Sequence, residues 1–262
     1  MAKTHLDLVK REFAKQAAAF GESGLTLAKR NHLRWMVDHL GLRPDDDVLD
    51  VAAGTGHLSR AMAPFVRRVI AFDLTAEMLA EARLGAERAG LTNIDLARGR
   101  AEELPYPDGC FDMVATRLAV HHFEEPRIQI EEMARVCRPG GRVAVIDLVA
   151  PDDPVLAASY NRLERRRDPS HVRALSRKEL VEVVGGAGTE VVHCASREVA
   201  VDVQRWLDLT RTPAEAAQAI GQELKREIEG SGTTGLRPFL GEGALMFMQT
   251  WRIVLAVKPA PG

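Results

Sequence analysis

The run Asp47-Val48-Leu49-Asp50-Val51-Ala52-Ala53-Gly54-Thr55-Gly56-His57-Leu58-Ser59 constrains this chain more than any other stretch. A short apolar run reads as a buried strand. It ends in an acid and small residues, and then restarts in a helical pattern. Gly54 and Gly56 permit a sharp turn and let a ligand approach main-chain N–H groups, because no Cβ intervenes. In open α/β sheets ligands sit at such strand C-termini, where the crossovers diverge. The helix that follows adds its N-terminal dipole and unpaired N–H groups.

Two cofactor classes use a strand–glycine–helix turn. A dinucleotide needs G-x-G-x-x-G, with the backbone tight against a pyrophosphate. Here Ser59 stands where the third glycine belongs, and Asp50 would repel a pyrophosphate. An acid at Asp50 suits a cation instead, and the amino group and sulfonium of S-adenosylmethionine are positive. A second buried-strand run, Arg68-Val69-Ile70-Ala71-Phe72-Asp73, also ends in an acid, and Thr75-Ala76-Glu77-Met78-Leu79 opens a helix. A carboxylate at that strand tip can accept both hydroxyls of a ribose. Rossmann dehydrogenases share that acid; they do not share its combination with Asp50.

With four motifs in order, the chain resembles the class I S-adenosylmethionine-dependent methyltransferases. The motifs are Val48 to Ser59, Asp73 to Leu79, Ala101-Glu102-Glu103-Leu104-Pro105-Tyr106-Pro107-Asp108-Gly109, and Arg138-Pro139-Gly140-Gly141-Arg142. The subgroup it resembles is the one typified by ubiquinone/menaquinone C-methyltransferases and their small-molecule relatives. The resemblance covers about residues 10 to 150 well and the rest loosely. Two positions depart from the family pattern. Ala52 stands where the family usually has its first glycine, and Arg100 where an Asp often contacts the adenine amino group. An NAD(P)-dependent Rossmann oxidoreductase and a non-catalytic S-adenosylmethionine-binding module are the alternatives.

At 262 residues with 46% apolar content, the chain is long enough for one large α/β domain with a sizeable core. Its 35 Lys and Arg nearly balance 37 Asp and Glu, with no basic block. Phosphate-dominated binding needs concentrated cations, so no nucleic-acid partner is expected. Cys110, Cys137 and Cys194 lack metal or redox spacing, and the odd count fits a reducing cytoplasm. No apolar secretion signal opens the chain and no apolar run is long enough to span a bilayer. No metal is expected; a homodimer is left open.

Helical spacing of Leu6, Val9, Phe13, Ala17 and Phe20 predicts a helix over about 5–20, broken by Gly21 and Gly24. A second helix is expected from about Leu25 to Leu40, stopped by Gly41 and Pro44. Strands are expected at about 47–52, 68–73, 93–98, 111–116 and 141–149, with helices at about 57–65, 76–89 and 126–137. Further on come helices at about 155–167, after a capping box at Ser176 to Glu179, and at 202–211 and 213–229. Strands are expected near 189–200 and 245–257, with a glycine-rich loop at 230–243. The alternation predicts an α/β fold with helices on both faces of a mostly parallel sheet. The resemblance implies a Rossmann-like sheet of seven strands in the order 3-2-1-4-5-7-6, with its last two strands antiparallel. It also implies a helical lid at 1–45 and a methyltransferase domain at 46–262 with helical additions at about 152–187 and 202–229.

The resemblance further implies cofactor contacts. Asp50, Ala52, Gly54 and Gly56 would surround the methionine moiety, and Asp73 would hold the ribose. Leu74 or Met78 would flank adenine, the main chain of Ala101 and Glu102 would meet its edge, and the Arg117 carbonyl would meet the amino acid part. Phe20 would close on the cofactor. Phe13 and Gln16 of the lid, and Tyr160, Arg162, His171 and Arg173, are the expected acceptor contacts, which suggest a polar or anionic acceptor. His121 and His122 follow the fourth strand, near the transferred methyl in this fold, and His122 is favoured over His121 as base. In the related phosphoethanolamine methyltransferases a single catalytic histidine followed by an apolar residue occupies the slot that matches His122-Phe123. Those enzymes pair it with a lid tyrosine; this lid has Phe13 and Phe20 instead.

Overall fold

The structure, a computed structural model, describes residues 4–20, 26–241 and 243–260. Two helices, α1 (His5–Phe20) and α2 (Arg30–Leu40), precede the first strand. The expected breakers Gly21 and Gly24, and Leu25, lie outside the described residues. An alternating βα pattern follows: β1 (Asp47–Val51), α3 (His57–Met62), β2 (Arg68–Asp73), α4 (Ala76–Arg88), β3 (Ile94–Arg98), β4 (Phe111–Arg117), α5 (Pro126–Val136) and β5 (Cys137–Val149). The C-terminal part comprises α6 (Pro154–Arg167), α7 (Arg177–Gly185), β6 (Glu190–Asp202), α8 (Val203–Leu209), α9 (Ala214–Ile228), β7 (Pro238–Gly241) and β8 (Ala244–Val257).

The sheet runs β3-β2-β1-β4-β5-β8-β6, the order expected for a Rossmann-like methyltransferase. β1 to β5 are parallel, and β8 runs antiparallel to both β5 and β6. Among the described residues, the one strand that the sequence does not predict is β7, inside the expected glycine-rich loop at 230–243. β5 stops pairing with β8 at Val149↔Thr250, which leaves the start of β8 open on that edge. β7 pairs there, from Pro238↔Phe247 to Gly241↔Ala244. An unpaired strand edge leaves backbone N–H and C=O groups unsatisfied, and the turn chemistry at Gly243 (φ +79°) lets the chain fold back and fill it. β5 also begins earlier than expected, at Cys137, because the segment through Gly140 and Gly141 bulges against β4.

Strand periodicity divides the core between the two faces of the sheet. Val48, Val69 and Met113 pack on one face with Met36, Leu40 and Met62 of α2 and α3. Leu49, Val51, Ile70 and Val114 pack on the other with Ile130 and Met133 of α5. Central parallel strands bury both faces, which explains their unbroken apolar runs. The Ser176 capping box forms as read: the Glu179 N–H donates to Ser176 Oγ at 3.2 Å, and the Ser176 N–H to Glu179 Oε2 at 2.7 Å. The order reverses between β1 and β4, so the crossovers diverge there and open a crevice beyond the strand C-termini.

Candidate active site

Two non-glycine residues at that reversal adopt left-handed backbone: Ala52 after β1 (φ +55°) and Leu118 after β4 (φ +51°). Each costs about 1–2 kcal/mol relative to ordinary backbone. Strain of this kind persists where surrounding structure enforces it and clusters at functional sites. Both residues line a cleft at the strand ends.

This first cleft is walled by the tips of β1 and β2, by Gly99 to Glu102, by the loop after β4, and by His5, Leu6, Val9 and Phe13 of α1. The apolar stripe of α1 that the sequence displays therefore faces a cavity. Asp73 closes the floor. Its Oδ2 accepts the Gly54 N–H at 2.8 Å and its Oδ1 the Thr75 N–H at 2.8 Å, which fixes the carboxylate between two loops. Burial raises its pKa, and these N–H groups pull the other way. A Cβ built on Gly54 (φ +54°) would meet nothing within 4 Å, so the backbone there borders open space.

Asp50 lies one layer deeper, 1% exposed. Ser59 Oγ donates to its Oδ2, while Oδ1 has no hydrogen-bond partner. Ser59, at the position of a dinucleotide site's third glycine, thus supports a carboxylate. Burial pushes the Asp50 pKa up to about 7, against the Ser59 hydrogen bond and the positive Arg117. A buried acceptor with an unused lone pair fits an ammonium group. Between about pH 4 and 7 the folded protein holds this proton and the unfolded chain does not, so the group's contribution to stability falls as pH rises through that window. A bound ammonium reverses the preference. S-Adenosylhomocysteine, which has the ammonium and no sulfonium, is expected to bind up to about tenfold more tightly at pH 8 than at pH 6, with proton release. Calorimetry in buffers of different ionisation heat checks this; equal affinity at the two pH values removes Asp50 from the ammonium site.

A second cleft adjoins the first and shares Phe13, Leu118 and His122 with it. Its other walls are Phe20 of α1, Thr26, His121, Leu148 of β5, Arg167 and Asp168, residues 201–209 around α8, and Gln249 and Trp251 of β8. Gln249 and Trp251 are two apart on one face of the strand, and the Trp251 Nε1–H donates to Gln249 Oε1 at 2.7 Å. The Arg167 guanidinium lies 4.8 Å from the Trp206 ring centroid and donates to Glu164 Oε2 at 2.9 Å. α1 spans both clefts and is tied at each end. His5 Nε2 donates to the His122 carbonyl at 2.9 Å, and the Phe20 carbonyl accepts from Thr55 Oγ1 at 3.1 Å and His57 Nε2 at 2.8 Å.

The structure brings some expected residues together and separates others. Ala52, Gly54, Asp73, Leu74, Ala101, Glu102, Phe13 and His122 all line the first cleft, and Arg100 joins them. Met78 instead is buried in the core at 1% exposure, so of the two adenine candidates only Leu74 reaches the cleft. Gly56 (φ +73°) lies under the loop: a Cβ there would come within 3.1 Å of Ala82 Cβ, so this glycine serves the packing of α3 on α4. Arg117 lines neither cleft, whereas Leu118, one residue beyond it, lines both. Arg117 is half-buried, and desolvation lowers its pKa to about 10 although Asp50 opposes this. Phe20, expected to close on the cofactor, lines the second cleft and not the first.

The expected acceptor contacts fare worse. Tyr160 is buried at 2% exposure, and its hydroxyl accepts from Gln249 Nε2 at 3.3 Å, one residue removed from the cleft. Arg162 is on the outer face of α6, where it pairs with Glu223 of α9 at 2.6 Å. Arg173 pairs with Glu179 at 2.7 Å. His171 Nε2 donates to Asn161 Oδ1 at 2.8 Å. Gln16 is fully buried on α1 and lines neither cleft. Trp206, Trp251, Gln249 and Arg167, which the sequence does not single out, also line the second cleft. Gln249 and Trp251 alone carry a local signal, as an i, i+2 polar–aromatic pair on the last strand.

Comparison with known proteins agrees with this architecture. Residues 49–145 match the family model described as a methyltransferase domain. The chain is similar to an uncharacterized methyltransferase, YcgJ, of Bacillus subtilis (strain 168), with 34% identity over 208 residues, 79% of this chain and 82% of that one. The crystal structure of the YcgJ protein superposes with a TM-score of 0.79 at 30% identity, covering 89% of this chain and 100% of that chain. A ubiquinone/menaquinone biosynthesis C-methyltransferase, UbiE, of Hahella chejuensis is 33% identical over 132 residues, 49% of this chain and 53% of that one. A Haemonchus contortus phosphoethanolamine N-methyltransferase 2, solved with S-adenosyl-L-methionine, shares the fold at a TM-score of 0.66 and 15% identity, covering 99% of this chain and 61% of that chain. The chain therefore belongs to the class I S-adenosylmethionine-dependent methyltransferases. S-Adenosylmethionine is its cofactor, and the orphaned Asp50 oxygen, the open face of Gly54 and the fixed Asp73 carboxylate fit that group. Among the described residues no helix is long and apolar enough to cross a membrane, and no cluster of three or more metal-ligating side chains forms.

Proposed function

We propose that the protein methylates a small molecule seated in the second cleft, with Asp73, Ala52, Gly54, Leu74 and Ala101 holding the cofactor in the first. The observation that carries this reading is the shared wall: Phe13, Leu118 and His122 border both clefts, so a group can pass between them. When bound, S-adenosylmethionine supplies an activated methyl group whose departure leaves a neutral thioether, so no acid is required. The protein's task is alignment and exclusion of water. α1, tied at His122 and at the glycine loop, is the lid that excludes it.

Trp206, Trp251, Leu148 and Phe20 make the second cleft largely apolar, and the arginines expected to bind an anion pair with carboxylates elsewhere. An acceptor with an apolar body is favoured over the anionic one that the sequence suggested. The balanced charge and the three free thiols support a reducing cytoplasmic setting without a nucleic-acid partner. Calorimetry is expected to show binding of S-adenosylmethionine and none of NAD. Release of S-adenosylhomocysteine is expected with apolar acceptors in preference to anionic ones of equal size. Binding of NAD, or a preference for anions, overturns the respective part of this reading.

A further inference from the structure

We infer that His121, held by Asp147, is the group that takes a proton from the methyl acceptor. The inference rests on the second cleft being the acceptor site. His121 lies on the short turn after β4 and lines the second cleft. Its Nδ1 is 2.6 Å from Asp147 Oδ1, and its backbone N–H donates to Asp147 Oδ2 at 3.1 Å. Oδ1 also accepts the Leu148 N–H at 2.7 Å, so two main-chain donors aim a carboxylate that is 2% exposed. An ionised carboxylate only accepts, so Nδ1 carries the hydrogen and Nε2 is the lone-pair edge of the neutral ring. This is the arrangement of a base oriented by a third group.

The neighbouring ring is held differently. The His122 Nδ1–H donates to the Ser170 carbonyl at 2.9 Å, a neutral partner, and the two ring centroids are 4.2 Å apart. Around His121, Asp147 of β5, Glu164 of α6 and Asp168 of the following loop favour a proton, while His122, His171 and Arg167 disfavour one. Burial pulls the His121 pKa down, but Asp147, with Glu164 and Asp168 behind it, raises it, and the pKa lies above the ordinary value. Burial, and then a proton on His121, lower His122 to about 4. The sequence favoured His122; the surroundings favour its neighbour, because only His121 keeps a proton it receives. His121 takes the proton at Nε2 while the freed lone pair of the acceptor atom bonds to the methyl carbon and the methyl–sulfur electron pair stays on sulfur. The positive charge that leaves the sulfonium ends on an imidazolium paired with Asp147.

Nitrogen-15 NMR of the histidine rings tests the dyad without turnover. In wild-type protein one ring is expected to titrate above about 6.5 with its neutral hydrogen on Nδ1. That signal disappears in His121→Gln and moves down by at least one pH unit in Asp147→Asn, with a cooperative thermal transition checking that each variant folds. A His121 ring that titrates below the ordinary range, or that ignores Asp147→Asn, overturns the dyad. The second measurement uses 4-nitrophenol with protein loaded with S-adenosylhomocysteine. Quenching of tryptophan fluorescence reports entry beside Trp206 and Trp251, and the phenolate absorbance reports proton transfer. Phenolate seen below the free phenol's pKa in wild type, and absent in His121→Gln, supports the inference. Entry with a neutral spectrum overturns the proton-accepting role. Failure to quench overturns the acceptor-cleft reading, and the inference with it.

Discussion

Asp73→Ala is expected to weaken S-adenosylmethionine binding at least a hundredfold. A carboxylate that accepts two ribose hydroxyls contributes about 1.5–3 kcal/mol for each charge-assisted bond. Two such bonds, at about 1.4 kcal/mol per decade, exceed a factor of a hundred. Asp73 also holds the Gly54 and Thr75 N–H groups at 2.8 Å each, so alanine removes the support of the glycine loop as well. Asp73→Asn separates the two roles. Its amide oxygen still accepts one of those N–H groups, so the melting temperature should recover most of the way while affinity stays at least tenfold low. Isothermal titration and thermal unfolding of both variants provide the check; an unchanged affinity for Asp73→Ala refutes the ribose assignment.

Gly54→Val is expected to abolish measurable cofactor binding, a loss of more than about a hundredfold, and to cost about 1–2 kcal/mol of stability. The stability cost comes from placing a β-branched residue at φ +54°. The binding loss comes from filling the space beside the Ala52–Gly54 backbone, where a built Cβ now meets nothing within 4 Å. Gly56 provides the contrast. It has similar backbone (φ +73°), but a Cβ there runs into Ala82 Cβ at 3.1 Å. Gly56→Ala should therefore lower the melting temperature more than it lowers affinity. Survival of binding in Gly54→Val means that the loop is a turn and nothing more.

The contrast between these glycines marks the limit of what sequence reading supplies. Both stand in one short motif, and nothing in the letters says that one faces a ligand and the other a helix. The difference is set by α4, whose Ala82 packs under Gly56. Met78 and Leu74 divide in the same way: helical phase turns Met78 into the core, and Leu74, before the helix starts, remains at the cleft.

Sequence carried the order of strands and helices and the loops that line the first cleft, though not which of Gly54 and Gly56, or of Leu74 and Met78, borders it. The order and the loops depend on local rules. Strand runs ending in acids, left-handed turns and helix starts are encoded within about a dozen residues, and parallel βα alternation leaves few topologies. The second cleft was decided by tertiary structure. Its walls come from α1, α8 and β8, and its histidine–carboxylate pair joins residues 26 positions apart. Tyr160, Leu163, Glu164 and Arg167 form the inward stripe of α6, while Arg162 falls on the outer face and is taken by Glu223. That His121 lies above the ordinary pKa and His122 below it is likewise set at a distance, by burial and by Asp147 on a different strand beside His121. A pKa depends on the charges within a few ångströms in space, and separation along the chain does not report that distance.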